Sequence, residues 1–274
     1  MREILPPKSL AQVPIIYHHD DVNGVIIMED AGRDAVNLKE LLKRPNPPST
    51  VTGVVIGRVL GEFIAKLHAW GMTDQGRESM DFFDGHPQAR NICAWATYGR
   101  LVDTIVGKSE PIPLIHDPPL GVTLEELDKI SRFAQERAED MRSSRETMTM
   151  GDFWTGNVLV DLYRSDDGSE ELRRLLVVDW EVTRPGVAAF DVGQFQAEIH
   201  TVRYCNPVCG PVTEALDAAF LEAYLSIQPD LDRRKAAQHL ATHLVIWTPR
   251  VGWEPAEKVR ELVEHGLRSI SSSL

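Results

Sequence analysis

Hydrophobic positions along most of the chain recur at helical spacing. Between Thr50 and Gly71, apolar residues return every three or four positions, which predicts one amphipathic helix ending near Gly71. The same spacing, with a capping box at Thr123, predicts further helices over residues 37–43, 88–106, 124–145, 192–202, 211–227, 231–247 and 255–270. The serines at 271–273 are predicted to fray.

Two pairs of short segments, each rich in β-branched and apolar residues, interrupt this helical pattern. Residues 13–17 and 25–28 are predicted strands joined by a turn over 18–24. Residues 158–160 and 175–178 form the second pair, and Asp167-Gly168 between them is a typical hairpin turn. Strands of this kind within a mostly helical chain predict an α+β fold.

Three polar residues flank the second hairpin. A turn at Asp167-Gly168 would place Asn157 and Asp179 opposite each other within about one residue of register, roughly 5 Å apart at Cβ. Asp152 lies a short loop earlier. Carboxylate and carboxamide oxygens are what Mg²⁺ needs beside a phosphate, and Asp152 would remain free to take a proton from a hydroxyl. The alternative is a surface hairpin with ordinary loop polar groups.

Composition and charge exclude several classes of partner. The chain has 274 residues, 43% of them hydrophobic, which suits one large or two small globular domains. Its net charge of −12 provides no basic surface for nucleic acid or for an anionic membrane. The expected partner is a small molecule.

The remaining composition favours the cytoplasm. Cys93, Cys205 and Cys209 are an odd number without the spacing of a structural zinc site, so they are expected to be reduced thiols. The N-terminus has no apolar run of signal-peptide length. The most apolar long segment, residues 51–70, carries three charged residues and is not expected to span a membrane.

The motifs around Asp152 and Asp179 resemble those of a known family. Residues 150–157 read M-G-D-x-x-x-x-N and residues 178–181 read V-D-W-E. They are similar to the H-G-D-x-x-x-x-N and (I/V)-D-W-E motifs of the aminoglycoside phosphotransferase and choline kinase-like small-molecule kinases. The resemblance implies a protein kinase-like fold, ATP and Mg²⁺ as cofactors, Asp152 as general base, and Asn157 and Asp179 as Mg²⁺ ligands.

Two further positions take their expected roles from this resemblance. Asp191 falls in the family's next block, where an Asp usually braces the catalytic loop. Met150 stands where the family has His, which mainly supports loop geometry, so the site is expected to be weaker or altered.

The resemblance also implies a hinge and a domain division. The backbone of Met28, Glu29 and Asp30 would bind adenine, residues 1–48 would be a remnant of the N-terminal lobe with the hinge, and residues 49–274 would form the helical C-terminal lobe. The family's glycine-containing loop and strand lysine are not found in the 24 residues before Val25. Most of the nucleotide-covering lobe is therefore expected to be missing, through a truncated gene model or genuine reduction, and ATP affinity to be weak.

Three functional hypotheses follow. The first is an O-phosphotransferase acting on a hydroxylated metabolite. The second is a kinase-derived scaffold without kinase activity, either a metabolite-binding protein or an enzyme that uses Asp152 and Asp179 for other acid-base chemistry. The third is an inactive fragment of a longer enzyme.

Other residues that could bind ligands or take part in catalysis are interpreted as packing residues. Gly53, Gly57 and Gly61 lie four apart on one helix, as close-packing contacts do. His68 is expected to be a packed, hydrogen-bonded histidine. His239 and His243 lack the glutamate of an H-E-x-x-H zinc site.

Overall fold

The computed structural model describes residues 4–6, 8–85, 87–165 and 170–274. The chain divides into two compact units. The first unit comprises Met1–Leu67, Trp154–Asp179 and Val208–Pro229, and the second comprises His68–Phe153, Trp180–Pro207 and Asp230–Leu274. The boundary expected after residue 48 stays a prediction.

Strands and helices are grouped along the chain rather than alternating, as is typical of the predicted α+β class. The strands are β1 (Ala11–Gln12), β2 (Ile16–Asp20), β3 (Val25–Met28), β4 (Val36–Asn37), β5 (Thr147–Thr149), β6 (Val158–Arg164), β7 (Glu170–Val177) and β8 (Arg184–Gly186). The helices are α1 (Leu38–Lys43), α2 (Thr50–Gly71), α3 (Asp74–Asp84), α4 (Gln88–Ala94), α5 (Leu101–Val106), α6 (Pro113–His116), α7 (Leu124–Ser143), α8 (Ala188–Cys205), α9 (Gly210–Ile227), α10 (Arg233–Ile246) and α11 (Ala256–Ser273).

A four-stranded sheet with the order β1-β7-β6-β4 belongs to the first unit. β6 and β7 pair antiparallel with Val158 opposite Val177, so the predicted second hairpin is present. Their inward side chains Val158, Val160, Leu175 and Val177 are buried, which explains the apolar runs in the sequence. The predicted turn at Asp167-Gly168 lies outside the described residues.

The first predicted hairpin is present with shifted bounds. β2 continues through Asp20, so the prediction of a turn from residue 18 is wrong. The Asp20 carboxylate accepts hydrogen bonds from the backbone N–H groups of Val22 and Asn23, both at 3.1 Å. This Asx-type arrangement places the turn after Asp20 rather than before it.

Glycines on α2 allow α9 to approach closely within the first unit. A Cβ built on Gly57 would lie 2.1 Å from the carbonyl oxygen of Leu216, and one on Gly61 would lie 2.2 Å from that of Phe220. A Cβ on Gly53 would lie 2.7 Å from Cγ2 of Val212 and 2.8 Å from its carbonyl oxygen. The prediction that these glycines are packing contacts is confirmed.

The second unit is mainly helical. α8 packs against α10, and α10 against α11, with Ala197, Leu244 and Leu262 in the common core. The helix predicted over 88–106 is interrupted by a π-helical turn, Trp95–Gly99. The predicted fraying of 271–273 is wrong, because α11 continues to Ser273, whose carbonyl accepts a hydrogen bond from Arg234. None of the described helices combines the length and hydrophobicity that crossing a bilayer requires.

The glycine contacts generate a stability prediction. Gly57→Ala should lower the free energy of unfolding by about 1 to 3 kcal/mol, because its Cβ would overlap backbone that cannot move without separating the helices. Urea denaturation of the purified chain measures this change. Gly210→Ala is the matched control, since Gly210 starts α9 with open space around its Cβ position. Equal stability of the two variants would contradict the packing argument.

Candidate active site

A buried carboxylate holds the loop that carries Asp152. Asp191, in the first turn of α8, is 1% exposed. Its Oδ2 accepts hydrogen bonds from the Met150 N–H at 2.8 Å and from His68 Nε2 at 3.2 Å, and its Oδ1 accepts one from the Gly151 N–H at 2.9 Å. The structure thus shows Asp191 bracing the loop and His68 as a packed, hydrogen-bonded histidine.

Gly151 gives this loop a backbone shape that other residues rarely adopt. Its φ is +84°, in the left-handed region that favours glycine. A Cβ there would also lie 2.0 Å from Nη1 of Arg184 and 2.6 Å from the carbonyl oxygen of Val182. The glycine is therefore required both by the turn and by the close approach of the Arg184 side chain.

Asp152 lines a cavity of about 180 Å³ in the second unit. Gln194, on α8, donates a hydrogen bond from Nε2 to Asp152 Oδ1 at 2.7 Å. Cys93, Arg184 and Trp247 also line the cavity. With its loop braced and one oxygen held by Gln194, the carboxylate of Asp152 is pre-positioned as a base must be.

Two buried histidine pairs lie along the same cavity. Burial lowers the pKa of His239 well below its ordinary value and raises the pKa of Tyr98. The hydroxyl of Tyr98 and Nδ1 of His239 are hydrogen-bonded at 2.7 Å. His243 Nε2 lies 2.9 Å from Oε1 of Glu198. Both histidines have protein partners, as the packing assignment predicted.

Cys93 is one of three free cysteines. Burial raises the pKa of its thiol, an effect that the positive charge of Arg184 opposes and the carboxylates of Asp152 and Asp191 reinforce. A thiol with a raised pKa is a poor nucleophile near neutral pH. Cys93 therefore contributes to the shape of the cavity rather than to covalent chemistry.

Asn157 and Asp179 belong to the first unit. The N–H of Val178 donates to the carbonyl oxygen of Asn157 at 3.0 Å, so Asp179 lies one residue beyond the partner of Asn157. The predicted register, within one residue, is confirmed. Asp179 has φ +65° and is the only described non-glycine residue with positive φ. Such backbone conformations concentrate at functional sites.

The donor set of these two residues fits a hard cation. Asn157 is 6% exposed and Asp179 is exposed, and they provide a carboxamide and a carboxylate. In the described part of the chain, no three His, Cys, Asp or Glu side chains gather as a metal site. A carboxamide together with a carboxylate suits Mg²⁺, which is usually held by one or two carboxylates together with phosphates.

The expected hinge follows β3 in the first unit. The N–H of Glu29 donates to the carbonyl oxygen of Ile15 at 2.8 Å. Arg174 donates from Nη2 to the carbonyl oxygen of Asp30 at 3.0 Å. Two of the backbone groups expected to face adenine, near Met28, thus already have protein partners. The adenine contact stays a prediction.

Sequence reasoning missed several residues of the cavity. Arg184 lies in the segment joining the V-D-W-E motif to α8, Gln194 lies on α8 itself, and Cys93 and Trp247 are distant in sequence from Asp152. The one available signal was the charged and amide residues that flank the predicted Asp191 block. Nothing in the periodicity indicated that α4 and α10 contribute to the same cavity.

A comparison with known protein families shows to which family the chain belongs. The sequence profile described as the phosphotransferase enzyme family matches residues 12–237. The chain belongs to this family. The match covers both units and includes Asp152, Asn157, Asp179 and Asp191, and it confirms the protein kinase-like fold class.

Two curated proteins that are similar in sequence to this chain are named 4-hydroxytryptamine kinase. The one from Psilocybe cyanescens is 30% identical over 259 residues, and the one from Psilocybe cubensis is 26% identical over 261 residues. Each alignment covers 94% of this chain. The chain spans 65% and 66% of the length of these relatives.

Solved structures similar to this chain include glucosamine kinase. Its complex with glucosamine, ADP and inorganic phosphate is 14% identical with a TM-score of 0.43, and the alignment covers 90% of this chain and 58% of that one. Crystal form A of glucosamine kinase is 16% identical with a TM-score of 0.42, over 91% and 60% of the two chains.

The brace at Asp191 generates a second stability prediction. Asp191→Asn replaces one acceptor oxygen with an NH₂ group that faces backbone donors, so the free energy of unfolding should fall by about 1 to 3 kcal/mol. Thermal unfolding followed by circular dichroism measures the loss. Asp152→Asn is the matched control and should change stability by less than about 0.5 kcal/mol. A larger loss in the control than in Asp191→Asn would contradict the bracing role.

Proposed function

We propose that the chain is a small-molecule O-phosphotransferase that uses ATP and Mg²⁺ to phosphorylate a hydroxyl group. One observation carries the proposal beyond family membership. Asp152, on a loop held by Asp191, directs a carboxylate fixed by Gln194 into a cavity of small-molecule size. Catalysis of phosphoryl transfer depends almost entirely on such positioning and on electrostatics.

Asp152 acts as the general base in this proposal. The acceptor hydroxyl donates a hydrogen bond to the carboxylate, and its proton passes to Asp152 as the oxygen bonds to phosphorus. The hydrogen bond from the Gln194 amide to Oδ1 fixes the orientation of this carboxylate. The buried rings of Phe153 and Phe195, stacked with centroids 5.0 Å apart, support the backbone after Asp152.

Asn157 and Asp179 would hold Mg²⁺. When bound, the ion would neutralise charge on the phosphates of the donor. The left-handed backbone of Asp179 is tolerated because Asp and Asn adopt this conformation more readily than other residues with a side chain. The oxygen donors and the strained backbone both support the assignment.

A hydroxylated aromatic amine is the acceptor class that fits the cavity. Trp247 contributes an aromatic side chain to the lining, and Asp152 and Glu181 contribute carboxylates, which suits an aromatic ring that carries an ammonium group. The two relatives named 4-hydroxytryptamine kinase support this class. The acidic net charge of −12 would favour the approach of a cation.

A metabolite-binding scaffold without kinase activity is the second candidate. The observation that favours it is the hydrogen bonding at the expected hinge, where the Glu29 N–H and the Asp30 carbonyl are engaged by Ile15 and Arg174. Such a protein would bind the acceptor without turning it over.

The first functional prediction concerns Asp152. Hydroxylated arylalkylamines are incubated with ATP and Mg²⁺, and phosphorylated product is measured by mass spectrometry. Asp152→Asn should lower turnover about 10²- to 10⁴-fold, because it removes the base and preserves shape. Asp230→Asn, an exposed change in the same unit, should retain full activity. Full activity of Asp152→Asn would show that the base lies elsewhere, and absence of product with every acceptor would favour the binding scaffold.

The second functional prediction concerns metal and nucleotide. Mn²⁺ binding, measured by electron paramagnetic resonance, should weaken about tenfold or more in Asp179→Asn, because a charged ligand becomes neutral. Asp34→Asn, an exposed control in the same unit, should bind Mn²⁺ as the parent does. ATP binding, measured by calorimetry, is expected to be weak. Tight binding of ATP without metal would contradict the hinge interpretation.

A further inference from the structure

Arg184 is a buried cation that forms no ion pair with a carboxylate of the described residues, although Asp152 and Asp191 line the same cavity. It is 4% exposed. Its Nη1 donates to the carbonyl oxygen of Val182 at 2.9 Å, and its Nε is buried without a hydrogen-bond partner. Within the described ranges, no Asp or Glu oxygen lies within 4.0 Å of the guanidinium. Because burying an unpaired charge is costly, this arrangement indicates a site for an anion.

The guanidinium is held in a fixed place beside the base. Arg184 begins β8, where Thr149 is its strand partner and donates from Oγ1 to its carbonyl at 2.9 Å. Its side chain packs so closely on Gly151 that a Cβ there would meet Nη1. Arg184 and Asp152 line the same cavity, and both act electrostatically on the thiol of Cys93.

We infer that Arg184 binds an oxygen of the phosphoryl group during its transfer, and of the phosphate on the product. This identity of the anion rests on the proposed function. The phosphorus atom bonds to the oxygen that Asp152 deprotonates, so the phosphate oxygens must enter the cavity that Arg184 lines. Guanidinium groups match phosphate oxygens in geometry and form strong charge-assisted hydrogen bonds with them.

The reaction balances without a chemical change in Arg184. The bond from phosphorus to the acceptor oxygen forms as the bond from phosphorus to the nucleoside diphosphate breaks. The hydroxyl proton passes to Asp152. Arg184 stays protonated throughout, as arginine does in proteins, and its positive charge faces the negative charge carried by the phosphoryl oxygens in the transition state.

Binding of inorganic phosphate to the full chain tests the inference without nucleotide, metal or turnover. Calorimetry should show phosphate binding that weakens about tenfold or more in Arg184→Gln, because a charge-assisted hydrogen bond is lost. Asp152→Asn should bind phosphate more tightly than the parent, because a neighbouring negative charge is removed. Arg77→Gln, an exposed arginine of the same unit, is the matched control and should leave the affinity unchanged.

Thermal unfolding separates ligand binding from a structural role. Arg184→Gln removes an unpaired buried charge and retains a donor for Val182, so its unfolding temperature should equal or exceed that of the parent. A lower unfolding temperature with unchanged phosphate affinity would overturn the inference. Arg184-dependent binding of acetate as tight as that of phosphate would overturn the phosphoryl assignment. If Arg184→Gln does not fold, an unchanged phosphate affinity in Asp152→Asn would overturn it.

The outcome is distinguishable from failure of the proposed function. Phosphate binding through Arg184 in a chain that phosphorylates no acceptor would support the anion site and contradict the phosphotransferase proposal. Where turnover is found, Arg184→Gln should lower kcat and change KM for the acceptor by less than about twofold, as expected for an interaction made in the transition state. An unchanged kcat together with unchanged phosphate affinity would overturn the role of Arg184 and leave the activity in place.

Discussion

The carboxylate of Asp191 is the interaction on which the candidate site depends. This one buried carboxylate accepts hydrogen bonds from the N–H groups of two consecutive loop residues and from a ring nitrogen of His68. Two consecutive N–H groups can point to one carboxylate only if the backbone curves sharply, and the left-handed conformation of Gly151 provides that curve. Because Asp191 is in the first turn of α8, the position of Asp152 is tied to a helix rather than to a mobile loop. The helix N-terminus also favours the negative charge of Asp191.

Much of the fold could be predicted from local sequence. The helices α2, α7 and α9 follow from apolar spacing, and the stripe of glycines on α2 from its four-residue period, because a helix must bury one face. The pairing of β6 with β7 follows from the apolar runs on each strand. The π-helical turn at Trp95–Gly99 was not predictable, since one extra residue within a helix leaves only a small change in periodicity. α3 was missed because its sequence is polar and buries few residues.

The residues of the candidate site also fall into those that the local sequence predicts and those that it does not. Asp152, Asn157 and Asp179 could be proposed from the sequence because the order and spacing of phosphoryl-transfer residues are local properties of a loop and a hairpin, and their catalytic and metal-binding roles stay predictions. Arg184, Gln194 and Cys93 were not found, because their roles depend on which segments meet in the folded chain. Cys93 and Trp247 line one cavity although they are 154 positions apart in the sequence. Helical periodicity shows which face is buried and carries no information about the partner of that face.

Met150 stands where the resembled family has a histidine, and the hydrogen bonds that hold the loop explain why a methionine is tolerated there. Asp191 binds the backbone N–H of Met150, so the side chain at this position is not needed for the hydrogen bond, and a methionine fully buried there fills apolar space. The chemistry then depends on charges fixed around the loop. Asp152 is held by Gln194, whereas Arg184 is held by Val182 and by its packing on Gly151. A direct ion pair between them would make Asp152 a weaker base and would neutralise Arg184. Separate supports hold the two charges without an ion pair between them, so a carboxylate and a cation both line one small cavity.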